Sequence, residues 1–103
     1  HLTPLRKLSS CDPAWHLYVV LIDYKQIGIN REELMKRLLS RGIGSQVHYI
    51  PVYKQPYYKK LYGVQKLPGC EAYYNRCLSL PLFVGLSKKM QSSVIQGVLS
   101  YVR

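Results

Sequence analysis

The chain has 103 residues, and its fifteen Lys and Arg against five acids give a net charge of +10. That length fits one small domain, which buries only about 60–65% of its unfolded surface and is expected to lean on a partner surface. The charge first suggests nucleic acid. However, the basic residues are scattered in pairs such as Arg6-Lys7, Lys59-Lys60 and Lys88-Lys89, which reads better as a solvated surface or one meeting an acidic partner domain.

In chain order, residues 1–14 (HLTPLRKLSSCDPA) have no clear period and read as a connecting arm. The first residue is His, so a fragment or processed form is expected. Residues 15–23 (WHLYVVLID) are β-branched and aromatic and predict a strand covered on both faces. Asn30 is placed to cap a helix, with Glu33 three residues on. Leu34, Met35, Leu38 and Leu39 form its apolar stripe, and Gly42 ends it. Residues 45–50 (SQVHYI) predict a second strand, with Val47 and Tyr49 on one face and His48 on the other.

Residues 51–68 predict a long connection with prolines at 51, 56 and 68 and tyrosines at 53, 57, 58 and 62. A loop this long is usually functional or shielded by a neighbour. Residues 69–78 predict a short helix, and residues 79–83 (SLPLF) a third strand, which Pro81 confines to an edge or an end. Ser87 caps a last helix with the stripe Met90, Val94, Val98, Tyr101 and Val102. The sum is a two-layer α/β (α+β) sandwich of three short strands and three helices, with mixed strand directions.

No self-sufficient active site is legible. GxGxxG, GxxxxGK[ST], GxSxG and HExxH are all absent. Glu32 and Glu33 sit in a helix's first turn, where they suit the dipole and do not make a catalytic pair. Three cysteines, Cys11, Cys70 and Cys77, without CxxC spacing argue against a disulfide framework or a zinc site. Cys70 and Cys77 read as small core residues, and a reducing cytoplasm is the matching compartment. No apolar run approaches the ~20 residues of a membrane span. His48 reads either as a satisfied structural histidine or as a site residue.

Five motifs in order carry a resemblance. They are Trp15-His16-Leu17-Tyr18; the R-x-x-L-x-x-x-L run of residues 31–38; G-I-G-x-x-x-H-Y-x-P over 42–51; Gln55-Pro56-Tyr57-Tyr58; and Ser79-Leu80-Pro81-Leu82. Together they resemble the C-terminal small domain of the DegT/DnrJ/EryC1/StrS family of pyridoxal phosphate (PLP)-dependent sugar aminotransferases. The nearest type is the one that aminates keto nucleotide-sugars in the pseudaminic acid pathway, some members of which are called spore coat polysaccharide biosynthesis proteins. The resemblance spans residues 14–102 and implies a connecting arm at 1–14 and a small domain at 15–103 of a fold-type I enzyme.

The resemblance further implies that pyridoxal phosphate and its Schiff-base lysine belong to a large domain, missing or separately encoded, so this chain alone binds no cofactor and is inactive. It implies a nucleotide-sugar and an amino-acid donor as substrates, a homodimer as the full enzyme, and His48, Tyr49, Gln55, Tyr57 and Tyr58 as substrate-binding residues. Three positions depart from the pattern. Tyr53 stands where His is usual, Val84 where Pro is usual, and Lys88-Lys89 where acids usually open the last helix. Two other readings stand beside this one: a basic, Tyr-rich module binding single-stranded nucleic acid, and a non-catalytic remnant or docking subunit of a split enzyme.

Overall fold

The computed structural model describes residues His1–Arg103. Three strands form one sheet in the order β1-β2-β3, with β1 at Leu2–Pro4, β2 at Tyr18–Ile22 and β3 at Cys77–Leu80. Four α-helices accompany it: α1 at Arg31–Leu39, α2 at Pro56–Tyr62, α3 at Pro68–Arg76 and α4 at Lys88–Val102. A 3-10 turn at Val52–Lys54 precedes α2.

The expected α+β layering holds, but two of the three strands are supplied differently. The arm expected at 1–14 contains β1, which pairs antiparallel with β2 (Leu2↔Ile22, Thr3↔Leu21, Pro4↔Val20). Pro4 is tolerated because β1 is an edge strand, where a missing N–H breaks no inner ladder. β3 also runs antiparallel to β2 (Val20↔Leu78, Leu21↔Cys77), so the strand directions are not mixed. It starts two residues earlier than expected. Cys77 and Leu78 belong to β3 and not to the preceding helix, and Pro81 follows its last residue.

Residues 45–50 do not form a strand. Only one bridge joins them to β3, Gln46↔Ser79, with bonds of 3.1 and 2.8 Å. The neighbouring groups on that edge of β3 are already committed or missing. The Cys77 N–H caps α3 by bonding the Tyr73 carbonyl, and the Cys77 carbonyl accepts from Arg31 Nη1 at 3.3 Å. Pro81, two residues beyond Ser79, has no N–H to donate. A ladder cannot propagate past a single pair under those conditions.

The core lies between one sheet face and helices α1 and α4. Val20, Ile22 and Leu78 meet Leu34 and Leu38 of α1, Val98 and Val102 of α4, and Ile43. Asn30 Oδ1 accepts from the Glu33 N–H at 2.9 Å, as the capping expectation required. Gly42, at φ 73°, allows the left-handed exit from α1. Two stripe residues fall outside the core: Leu39 is 66% exposed, and Met90 is also exposed. Ser87 Oγ caps α4 through the Met90 N–H at 3.2 Å.

The connection at 51–68 is not structureless. Pro56 begins α2 with its φ already helical and no N–H to satisfy, and Gly63, at φ 70°, stops it. Yet α2 contains no buried residue. Only 12 of 103 residues are buried in the whole chain. The radius of gyration is 15.5 Å, against about 13 Å for a compact domain of this length.

Local opening is cheap where few buried contacts must break. Amides of residues 57–62 are therefore expected to show at least about 100-fold less protection from hydrogen exchange than those of Val20 and Ile22. Equal protection in the two segments would mean that α2 packs on its own domain more firmly than its exposure indicates.

Candidate functional site

His48 is half-buried on the sheet's outer edge. Its Nδ1 lies 2.8 Å from Ser79 Oγ, and Ser79 is itself buried. The expected strand alternation, with His48 on the face opposite Val47 and Tyr49, does not hold. With only one bridge to β3, residues 45–50 do not follow strand alternation, and the imidazole turns onto the sheet. The peptide between His48 and Tyr49 is cis. Tyr49 is 71% exposed and meets His48 edge-to-face, with ring centroids 4.6 Å apart.

The other three expected site residues gather on α2. Gln55 occupies its N-cap, where the Gln55 carbonyl accepts from the Lys59 N–H at 3.0 Å while the side chain makes no cap bond. Tyr57 and Tyr58 meet edge-to-face at 5.2 Å, and Tyr58 stacks on Tyr62 at 6.5 Å with an 11° interplanar angle. The five residues therefore form two clusters, His48–Tyr49 and Gln55–Tyr57–Tyr58, with no hydrogen bond or ring contact between them.

Helix α3 braces the first cluster and the 3-10 turn that precedes α2. Tyr73 Oη donates to the His48 carbonyl at 3.5 Å, and Tyr53 Oη donates to Glu71 Oε1 at 3.0 Å. Burial, reinforced by the Glu71 carboxylate, pushes the Tyr53 phenol up to about 12, so it remains a neutral donor. Burial also raises Tyr73. Sequence reasoning missed Ser79, Glu71 and Tyr73, because side chains that brace a site from another element carry no local pattern. Tyr53 was visible as a departure, and its bond to Glu71 gives it a structural task.

Behind α3 lies a second knot. Arg31 Nη1 donates to the Tyr74 and Cys77 carbonyls, and the guanidinium lies 4.7 Å from the Tyr74 ring centroid. Burial raises the Cys77 thiol, and nearby Arg31 offsets this only in part. A protonated, buried thiol is not a nucleophile. Cys77 thus matches the small-core-residue expectation, while Cys70 contradicts it by being exposed. Cys70 sits on the open side of α3, which buries nothing. No cluster of three metal-ligating side chains exists, and no helix is long and apolar enough to cross a membrane.

The residues present do not fit a Schiff-base cofactor. An aldimine-forming lysine must reach the neutral amine, usually in a desolvated pocket. Every lysine here except Lys54 is exposed. The Lys54 ammonium lies 5.7 Å from the Tyr53 centroid and 5.5 Å from the Tyr74 centroid, a cation–π contact with both rings. The arrangement can bind, stack and donate hydrogen bonds.

A family model matches residues 2–99. The chain belongs to the DegT/DnrJ/EryC1/StrS aminotransferase family. Its similarity to the spore coat polysaccharide biosynthesis protein SpsC of Bacillus subtilis is 41% identity over 93 residues, 87% of this chain and 24% of that protein. Helicobacter pylori PseC, an aminotransferase involved in the biosynthesis of pseudoaminic acid, superposes with a TM-score of 0.77 at 30% identity, covering 84% of this chain and 23% of its own. S. venezuelae DesV, solved with a ketimine intermediate, gives 0.83 at 28% identity, covering 99% and 26%. The chain thus spans about a quarter of these family members, and its fold is that of the family's small domain.

The phenol–carboxylate contact has a pH signature. An unfolded tyrosine ionises near 10, whereas folded Tyr53 holds its proton to about 12. Between those values the folded state keeps a proton that the unfolded state has released, so stability is full below pH 10 and falls as pH rises toward 12. Tyr53→Phe is expected to flatten that fall in a series of melting curves. Tyr24, which burial also raises to about 12, keeps its own share. An unchanged alkaline slope in the variant would show that Tyr53 ionises normally.

Proposed function

We propose that this chain is the small domain, strand β1 at Leu2–Pro4 included, of a pyridoxal phosphate-dependent enzyme. That enzyme moves an amino group from an amino acid to a keto nucleotide-sugar in cell-surface polysaccharide biosynthesis. The observation that carries this is the family match over residues 2–99. The relatives named above act in polysaccharide and pseudoaminic acid synthesis, which favours a sugar substrate.

The cofactor, held by a large domain in the same homodimeric enzyme, supplies the electron sink. The residues of this chain supply binding. Ser79 holds the His48 ring and Tyr73 holds its carbonyl, so Tyr49 is presented to the substrate side from a braced position. Gln55, Tyr57 and Tyr58 offer a second, ring-rich contact. Exposed Trp15, Tyr18, Leu82 and Phe83 favour docking on the large domain, because monomers rarely leave such side chains clustered in water. Three free cysteines favour the cytoplasm.

The test is a chimera in which this chain replaces the matching quarter of SpsC. The expected outcome is glutamate-dependent amination of a 4-keto nucleotide-sugar, with Tyr49→Ala raising KM. A chimera that binds the cofactor and fails to turn over would sink the proposal. In parallel, the chain alone is treated with pyridoxal phosphate and borohydride. Scattered, substoichiometric labelling of exposed lysines is expected, and a single stoichiometric adduct would overturn the assignment of the cofactor to the large domain.

A further inference from the structure

Two cavities of about 550 and 560 Å³ adjoin across Tyr53, sharing Tyr53, Gln65 and Leu67. The first is lined by the cations Lys54, Lys59 and Lys66. The second is lined by the stacked rings of Tyr58 and Tyr62. Each volume suits a small-molecule fragment.

The cationic half carries three lysines against one acid. None of its three lysines has a carboxylate within ion-pair distance, since the ion pairs of the chain are Lys7–Asp12, Lys36–Glu32 and Arg37–Glu33. Its one acid, Glu71, already accepts from Tyr53 Oη. The chain's remaining acid, Asp23, accepts from the Gln26 N–H at 3.1 Å. The other four acids lie elsewhere, so three lysines face the single carboxylate of Glu71 and the cavity keeps net positive charge for an external anion. On the far side of Tyr53, the Tyr58 ring offers a face to a flat group, and stacking of a base on an aromatic ring is indifferent to which base it is. Gln65 Nε2 is tied to the Tyr62 carbonyl at 2.6 Å, leaving its Oε1 as an acceptor at the junction.

We propose that these two cavities form one groove that takes the nucleotide end of the substrate, phosphates on Lys54, Lys59 and Lys66 and the base on Tyr58 and Tyr62. The assignment rests on the aminotransferase reading only for the ligand's identity. It leaves His48 and Tyr49 to the sugar end.

The 103-residue chain is titrated with uridine diphosphate, uridine and inorganic pyrophosphate, followed by backbone amide shifts at low and moderate salt. Uridine diphosphate is expected to bind at least about tenfold tighter than either fragment, with shifts across 53–71 and weakening as salt rises. The triple variant K54Q/K59Q/K66Q is expected to lose at least about tenfold for uridine diphosphate and little for uridine. Tyr58→Ala with Tyr62→Ala is expected to reverse that pattern, sparing pyrophosphate. Equal affinity for uridine diphosphate and pyrophosphate would leave the ring half idle and overturn the proposal. So would shifts centred on 48–49, or the absence of saturable binding. A single-stranded oligonucleotide that binds far tighter, over several nucleotides, would overturn it in favour of a nucleic-acid surface. An active chimera whose isolated small domain ignores uridine diphosphate removes the groove alone. Binding beside an inactive chimera removes the aminotransferase reading and leaves the groove.

Discussion

One guanidinium organises this small domain. Arg31, the first residue of α1, donates to the carbonyl of Tyr74 in α3 and to that of Cys77 at the start of β3, and covers the Tyr74 ring. Both hydrogen bonds leave one nitrogen, Nη1, while the guanidinium carbon stays over the ring. The end of α3 and the start of β3 are thereby pinned to the helix that carries the core leucines Leu34 and Leu38. Because the Cys77 carbonyl is spent on Arg31, it cannot extend a ladder to residues 45–50. That segment keeps one bridge, at Gln46, and beyond it the His48 ring finds Ser79 Oγ. The placement of the candidate site therefore follows from how hydrogen bonds are allotted along one edge of β3.

The features legible in the sequence were those with local chemistry. The Asn30 cap, the Leu34–Leu38 and Val98–Val102 stripes and the Ser87 cap act within a few residues and stand as expected, while the apolar run of β2 is a strand with only Val20 and Ile22 buried and not one covered on both faces. The features that escaped depend on partners far along the chain. Strand β1 is a three-residue segment with Pro4 in it, and only its register against β2 makes it a strand. Residues 45–50 alternate like a strand, but the edge they meet is occupied. Helix α2 was legible after all: Pro56 at its start and Gly63 just past its end are the expected asymmetric punctuation. The density of proline and tyrosine around it masked that signal. The braces Ser79, Tyr73 and Glu71 stand 31, 25 and 18 positions from the residues they hold, His48, His48 and Tyr53.

Charge and exposure point the same way. A domain with 12 buried residues and a +10 charge gains little from its own core and repels itself at low salt. Four of its acids are used in exposed pairs and a turn, which solvent screens. Only Glu71 meets the segment from Tyr53 to Lys66, and it leaves that segment positive. The positive charge there and the exposed tyrosines of α2 are costs to the isolated chain that a bound anion and a covering surface would offset.

The division of labour inside the family fold follows from this. The parts of the chain that are well packed, the sheet face with α1 and α4, present no chemistry. The parts that present chemistry, Tyr49 and the α2 segment, are thinly packed, and the bonds from α3 reach only their neighbours, the His48 carbonyl and Tyr53. A binding surface built this way adapts to its ligand, because moving α2 breaks no core contact. The side chains here with strongly raised values, Tyr24 and Tyr53, are phenols held protonated by burial, so what Tyr53 contributes between the sheet edge and α2 is a neutral hydrogen-bond donor.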